Sequence, residues 1–279
     1  MTVLDNIAAK VSPKKRDGIR ESARGYRLEK LHLKRPRTAL IFVTFLIVLT
    51  TSIFVWTNSS SMSNNQQHQP VTQTPKAVIV DGLYSSSPNA AFLDNISTNL
   101  FAAGFRVDVY KGENATIDLL RNIGGYAVLI LRLHSAIDAY GNLYIFSGEP
   151  FAYSKYQSDL LLGNVKRARD FNGNEYFAID IQLLGARTQD SLKSSTIVLM
   201  GCNGTGSSRG VGGIIARGVN AFVGWNGYVD LSHSDQTTMA LIKALYSEKL
   251  SAEEAVQESM TIIGPDPSYK TVLECIVSN

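Results

Sequence analysis

Residues 126–136 read YAVLILRLHSA and residues 195–206 read STIVLMGCNGTG. Each opens on a short, continuous apolar run that suits a strand better than a helix, and each run stops at a polar or glycine-rich break. An apolar run without alternation predicts a strand covered on both faces, the condition of a parallel sheet. Working outward from the first, residues 76–81 (KAVIVD) make another such run, 89–103 are amphipathic, 105–110 (FRVDVY) alternate and 117–123 read as a short helix. Strand, helix, strand, helix, strand predicts right-handed crossovers and parallel pairing.

Around the second stretch, residues 210–217 read as a short helix and 221–225 (AFVGW) as a further buried strand. Residues 235–249 predict a long helix that Ser234 or Asp235 can cap, and 251–260 a last one with Ser251 and Glu254 spaced as a capping box. Residues 137–190, rich in Gly, Tyr and polar breaks, are expected to hold a hairpin insertion. The fold class is therefore α/β with an open, mostly parallel central sheet.

The chain has 279 residues, 44% hydrophobic and 18% charged, which fits one globular domain with something extra at one end. Two cysteines, Cys202 and Cys275, exclude a disulfide-stapled miniprotein and a multi-cysteine zinc site. A bridge between them would silence either thiol. The net charge of +3 hides an asymmetry: residues 1–37 hold 11 Lys/Arg against 4 Asp/Glu, and the rest is net acidic.

Residues 38–57, TALIFVTFLIVLTTSIFVWT, carry no charge over 20 residues, about 30 Å as a helix, the thickness of the hydrocarbon core. They predict one transmembrane helix. Lys34, Arg35 and Arg37 directly before it place the N-terminus in the cytoplasm and the rest of the chain outside, in a single-pass cell-membrane protein. Residues 1–37 then form a basic cytoplasmic tail, 58–75 a flexible polar linker and 76–279 the α/β domain.

In open parallel sheets the site lies at the carboxyl ends of the strands. His134 directly follows one buried run and Cys202 sits one glycine beyond another. A thiol is a nucleophile as thiolate, and a neighbouring imidazole that takes its proton is the common route to one. Gly201, Gly204 and Gly206 would let the backbone bend closely about a substrate carbonyl. His233 is expected in a surface loop. No His/Cys/Asp cluster has metal-ligand spacing, which argues against metal catalysis, and no cofactor is implied. The net-acidic folded part argues against nucleic acid.

Strand-His, a spacer, then strand-Cys in a glycine-rich loop resembles the caspase-like (clan CD) cysteine peptidases, most closely their CHAT branch. The resemblance continues through residues 210–260, GVGGIIARGVNAFVGWNGYVDLSHSDQTTMALIKALYSEKLSAEEAVQESM. It implies a three-layer caspase-like fold and a polypeptide substrate, with His134 as general base and Cys202 as nucleophile. The backbone N–H groups of Ser135 and Cys202 would form the oxyanion hole. Ser135 stands where the family usually has glycine, and Asn203 follows the cysteine in place of the usual residue types. By the same resemblance, Asp81 would form part of a pocket for Arg or Lys, Trp225 and Asn226 would line the cleft, and Asp235 matches an acidic position before the long helix. Two other readings of the sequence are a non-catalytic module of the same fold that binds a protein partner, and a doubly wound domain binding a small ligand at residues 201–210. The second lacks both the Walker A spacing and a G-x-G-x-x-G register.

Overall fold

The computed structural model describes residues 74–188 and 192–278. The basic tail, the expected membrane helix 38–57 and all but the last two residues of the expected linker lie outside the described residues. Among the described residues no helix is long and apolar enough to cross a membrane.

Six strands make the central sheet: β1 (Lys76–Asp81), β2 (Arg106–Lys111), β3 (Val128–Arg132), β8 (Thr196–Leu199), β9 (Ala221–Trp225) and β10 (Leu273–Val277). Their order is β2-β1-β3-β8-β9-β10. All pairs are parallel except β9 with β10. The intervening four strands, β4 (Ser135–Ile137), β5 (Leu143–Pro150), β6 (Val165–Arg169) and β7 (Glu175–Asp180), form a separate antiparallel sheet in the order β4-β5-β7-β6. This is the expected insertion, and it begins directly after His134.

Strand side chains alternate between faces, and the two faces of the central sheet bury two separate clusters. Val78, Val80, Leu129, Leu131, Ile197 and Leu199 pack with the second sheet and with helices α2 (Ile117–Asn122) and α4 (Ser208–Ile215). Ala77, Ile79, Val128, Ile130, Val198 and Val223 pack under α1 (Ala90–Ala102), α5 (Leu231–Tyr246) and α6 (Ala252–Ile262). The result is a three-layer α/β arrangement, which explains why β1, β3, β8 and β9 read as unbroken apolar runs. A short helix α3 (Gln157–Leu162) lies in the insertion.

Polar caps fix where helices begin. Asn89 accepts the Phe92 N–H, Thr116 the Leu119 N–H, and Ser251 and Glu254 form the predicted capping box. The long helix α5 departs from expectation by starting at Leu231, four residues before Asp235, with Asp230 at its N-cap. Ser234 and Asp235 do not cap it because buried groups in the core take them. The Ser234 hydroxyl donates to the Met200 carbonyl and accepts the Trp225 indole N–H, while the Asp235 carboxylate takes Arg132. His233 accordingly lies within a helix, half-buried, its ring 5.5 Å from that of Trp225 and its Nε2 3.1 Å from the Gly264 carbonyl.

Candidate active site

β3 and β8 are hydrogen-bonded neighbours, Leu131 standing opposite Leu199, so the segments leaving their carboxyl ends emerge side by side. The Met200 N–H still donates to the Leu131 carbonyl, at 3.0 Å. Beyond it the two segments nearly touch at Gly201. A Cβ there would lie 2.3 Å from the Ser135 hydroxyl and 2.5 Å from the Leu133 carbonyl oxygen, so this approach requires glycine. The Ser135 hydroxyl then donates to the Cys202 carbonyl at 2.6 Å and ties the histidine segment to the cysteine loop. His134, Gly201 and Cys202 line one cavity of about 220 Å3.

Ser135 opens β4 opposite Ile145, and the Phe146 N–H donates to the His134 carbonyl. In an antiparallel ladder alternate residues exchange both bonds, so with His134 paired to Phe146 the N–H of Ser135 faces away from β5, free of the ladder. Ser135 lies outside the left-handed region and needs no glycine. Asn203 does lie there, at φ 57°, a conformation asparagine tolerates, and its N–H donates to the Gly227 carbonyl. Gly204 closes the turn against Gly224, whose Cα would sit 3.2 Å from any Cβ at 204. Both unusual residues of the motif are thus compatible with the local backbone.

The electrostatics describe an uncharged resting pair. Burial pushes the Cys202 thiol up, the carboxylates of Asp266 and Asp230 add to this, and backbone hydrogen bonding at Val229 and at the cysteine itself only partly offsets it. Burial pushes the His134 imidazole down and the Arg132 charge acts the same way, while Asp170 opposes them. At neutral pH the cavity therefore presents a thiol and a neutral imidazole. The imidazole edge rests on Phe146, with ring centroids 5.8 Å apart.

Other residues expected at the site lie elsewhere. Asp81 is fully buried and pairs in register with Arg132. Arg132 gives Nη1 to Asp81 at 2.9 Å and Nε to Asp235 at 2.8 Å, and Asn89 also donates to Asp235. Asp81 is therefore part of a buried ion cluster beneath the cleft and does not line it. Trp225 is buried in the helix-covered face. Asn226 bridges β9 to β10 through Glu274 and the Val272 N–H. The strand end they form still positions the cysteine loop through backbone, since the Trp225 carbonyl accepts the Thr205 N–H. Both cysteines are free thiols, and Cys275 stands mid-strand opposite Val223.

Sequence reasoning missed the remaining walls. Leu83, Met200, Val229 and Leu231 make an apolar lining, Phe171 and Tyr269 stand at its rim, and Asp230 contributes a carboxylate. The Asp230 side chain accepts from the Ser268 hydroxyl and forms no ion pair with Lys or Arg among the described residues. Its position in the segment between β9 and α5, which leaves the carboxyl end of the sheet, is a signal that the strand-end rule could have used. Phe171 and Tyr269 carry no such signal, because they reach the cleft from distant hairpin and loop positions. A larger depression of about 620 Å3 lies by Lys76 and Arg106, at the opposite, amino ends of β1 and β2. Among the described residues that line it there is no cysteine, histidine or carboxylate.

The chain matches no family model, and no curated protein matches it significantly.

Proposed function

We propose that the protein is a membrane-anchored, caspase-like thiol endopeptidase of CHAT type that cleaves polypeptides on the carboxyl side of a lysine or arginine. The observation that carries this reading is the convergence of His134 and Cys202 from neighbouring parallel strands on one cavity, with the Ser135 N–H free of its ladder.

As the sulfur of Cys202 attacks the scissile carbonyl carbon, its proton passes to His134 and the carbonyl electron pair moves onto oxygen. The N–H groups of Ser135 and Cys202 receive that oxyanion. Collapse re-forms the carbonyl, breaks the C–N bond and passes the proton from His134 to the leaving amine, which leaves a thioester on Cys202. Water then attacks the thioester, gives a proton to His134, and the thiol is restored. Because the resting pair is neutral, proton transfer belongs to the attack itself.

The cavity suits a long cationic side chain. Its aliphatic stem would lie along Val229, Leu231 and Met200, and its charge would meet Asp230 beside the Tyr269 ring. That cation would also counter the two carboxylates that add to burial in holding the thiol up. The test exposes the full chain to peptidyl electrophiles ending in Arg, Leu or Asp and follows the mass of the Cys202 peptide. The Arg probe is expected to label Cys202 fastest, with labelling lost in His134→Ala. A chain that binds the Arg peptide reversibly yet never forms the adduct is the non-catalytic binding module, a reading the neutral resting pair also allows.

A further inference from the structure

Residues 264–271, GPDPSYKT, lead from α6 to β10. Asp266 in this loop is fully buried, although Pro265 and Pro267 on either side of it are exposed. A carboxylate leaves water only where other donors replace it. Here they are backbone N–H groups. Oδ1 accepts those of Ser268 and Tyr269, each at 2.8 Å, and Oδ2 accepts that of Asp230, also at 2.8 Å. The Asp266 N–H donates to the Thr271 carbonyl and its carbonyl accepts the Lys270 N–H, so the loop closes on itself around this one side chain.

The Asp266 bonds join two residues of one cavity, since Asp230 and Tyr269 both line it with His134 and Cys202. Two further bonds hold the loop against the segment before α5. The Ser268 hydroxyl donates to the Asp230 carboxylate and the Thr271 hydroxyl to the Tyr228 carbonyl, the latter at 2.6 Å. Asp230 stands at the N-cap of α5, where an aspartate ordinarily turns its carboxylate back to the N–H groups of the second and third helical residues. It does not do so here: its side chain makes no cap bond. The carboxylate goes to Ser268 and the cavity instead, while the Asp230 N–H goes to Asp266.

We propose that Asp266 is a positioning residue for specificity, which holds Asp230 out of its helix cap so that the carboxylate faces the cavity beside Tyr269. Its part in specificity rests on the reading of Asp230 as the partner of a lysine or arginine side chain. The hold itself rests on the bonds alone. Released from the loop, Asp230 would cap α5 through Ser232 and His233 and withdraw its charge from the cavity.

The test compares the full chain with Asp266→Asn, first by amide exchange without peptide. Asparagine keeps an oxygen for Ser268 and Tyr269 but turns an amide N–H toward the Asp230 N–H. Protection at Asp230 is expected to fall about tenfold, the worth of one hydrogen bond to a carboxylate, while protection at Ser232 and His233 rises as the cap forms. Protection lost at all three, or unmoved at Asp230, would overturn the proposal. Should Asp266→Asn not fold, Ser268→Ala, an exposed change, frees the carboxylate alone, and protection at Ser232 and His233 that stays unchanged overturns it equally. The second readout is the Arg-over-Leu ratio of Cys202 labelling, in which the bearing of the Asp266 charge on the thiol cancels. The ratio is expected to fall as far in Asp266→Asn as in Asp230→Asn, and no further in the double variant. An unchanged ratio, or additive losses, would overturn the part in specificity. A chain that caps α5 as expected yet forms no Cys202 adduct with any probe supports the hold on Asp230 and removes the peptidase reading.

Discussion

Asp81 and Asp230 are two carboxylates at the carboxyl ends of strands, and their surroundings give them opposite work. Asp81 is fully buried against Arg132, with its second oxygen unpartnered, while Asp230 is half-buried in the cleft wall and has no ion pair with Lys or Arg among the described residues. Leaving a buried polar group without its partner costs about 1–3 kcal/mol, and more where the group is charged. Asp81→Asn is therefore expected to lower the melting temperature by a few degrees, at about 2–4 °C per kcal/mol for a domain of this size, and to leave side-chain preference unchanged. Asp230→Asn should do the reverse. It should barely move the melting temperature, yet reduce the Arg-over-Leu ratio of Cys202 labelling by about tenfold or more, the worth of a charged hydrogen bond in a partly buried pocket. A ratio that follows Asp81 instead would return the specificity pocket to the position the family resemblance implies. The two variants together separate a stability role from a recognition role.

At the scale of elements, the site depends on how closely the β3 and β8 extensions approach. Gly201→Ala would set a Cβ 2.5 Å from the Leu133 carbonyl, a backbone atom that cannot swing aside. Such overpacking costs about 1–3 kcal/mol and would part His134 from Cys202. Labelling of Cys202 should lose its dependence on His134, and Ser135→Gly should fail to rescue it, because the carbonyl clash remains. The turns at residues 138–142 and 170–174, which join β4 to β5 and β6 to β7, make a second prediction. The proton affinities of Asp138 and Asp170 are both depressed, despite burial, by bonds to their own turns and, for Asp138, to Lys166. A depressed acid contributes stability that is complete above its unfolded value, about 3.9, and is lost as pH falls through the folded one. Amide protection relative to the intrinsic exchange rate should therefore fall in residues 138–142 and 170–174 below about pH 4, before it falls in β3 and β8.

The strands, and the arrival of His134 and Cys202 at one cavity, were legible because burial on both faces leaves apolar runs, and because parallel strands end together on one side of the sheet. Strand-end position does not say which way a side chain points. This is why Asp81, Trp225 and Asn226 were expected in the cleft, whereas Arg132, Ser234 and Glu274 hold them elsewhere. The start of α5 was misplaced for a related reason. Ser234 and Asp235 have the chemistry of caps, and only the tertiary fold reveals that a buried indole and a buried guanidinium claim them first. Strand β10 and the Tyr269 wall come from pairing at the end of the chain, which no local period announces.

For the whole molecule, the arrangement of charge makes a prediction that the α/β domain alone does not. Residues 1–37 are strongly basic, residues 38–57 are uncharged, and the remainder is net acidic. If the uncharged segment spans the bilayer, orientation is set by Lys34, Arg35 and Arg37 immediately before it, since acidic residues contribute little to that choice. The cleft would then stand outside, within reach of substrates that never enter the cytoplasm. Protease added to intact cells should cut within residues 58–75 and release the α/β domain to the medium, while the basic tail stays protected until the membrane is opened. Replacing Lys34, Arg35 and Arg37 with Asn should bring a fraction of the chains into the opposite orientation, read as domain that added protease no longer releases. Full release of the domain without any cut, or a domain protected in every intact cell, would each overturn the anchored, outward-facing arrangement. In that event the peptidase proposal keeps its chemistry and changes its substrates to those of another compartment.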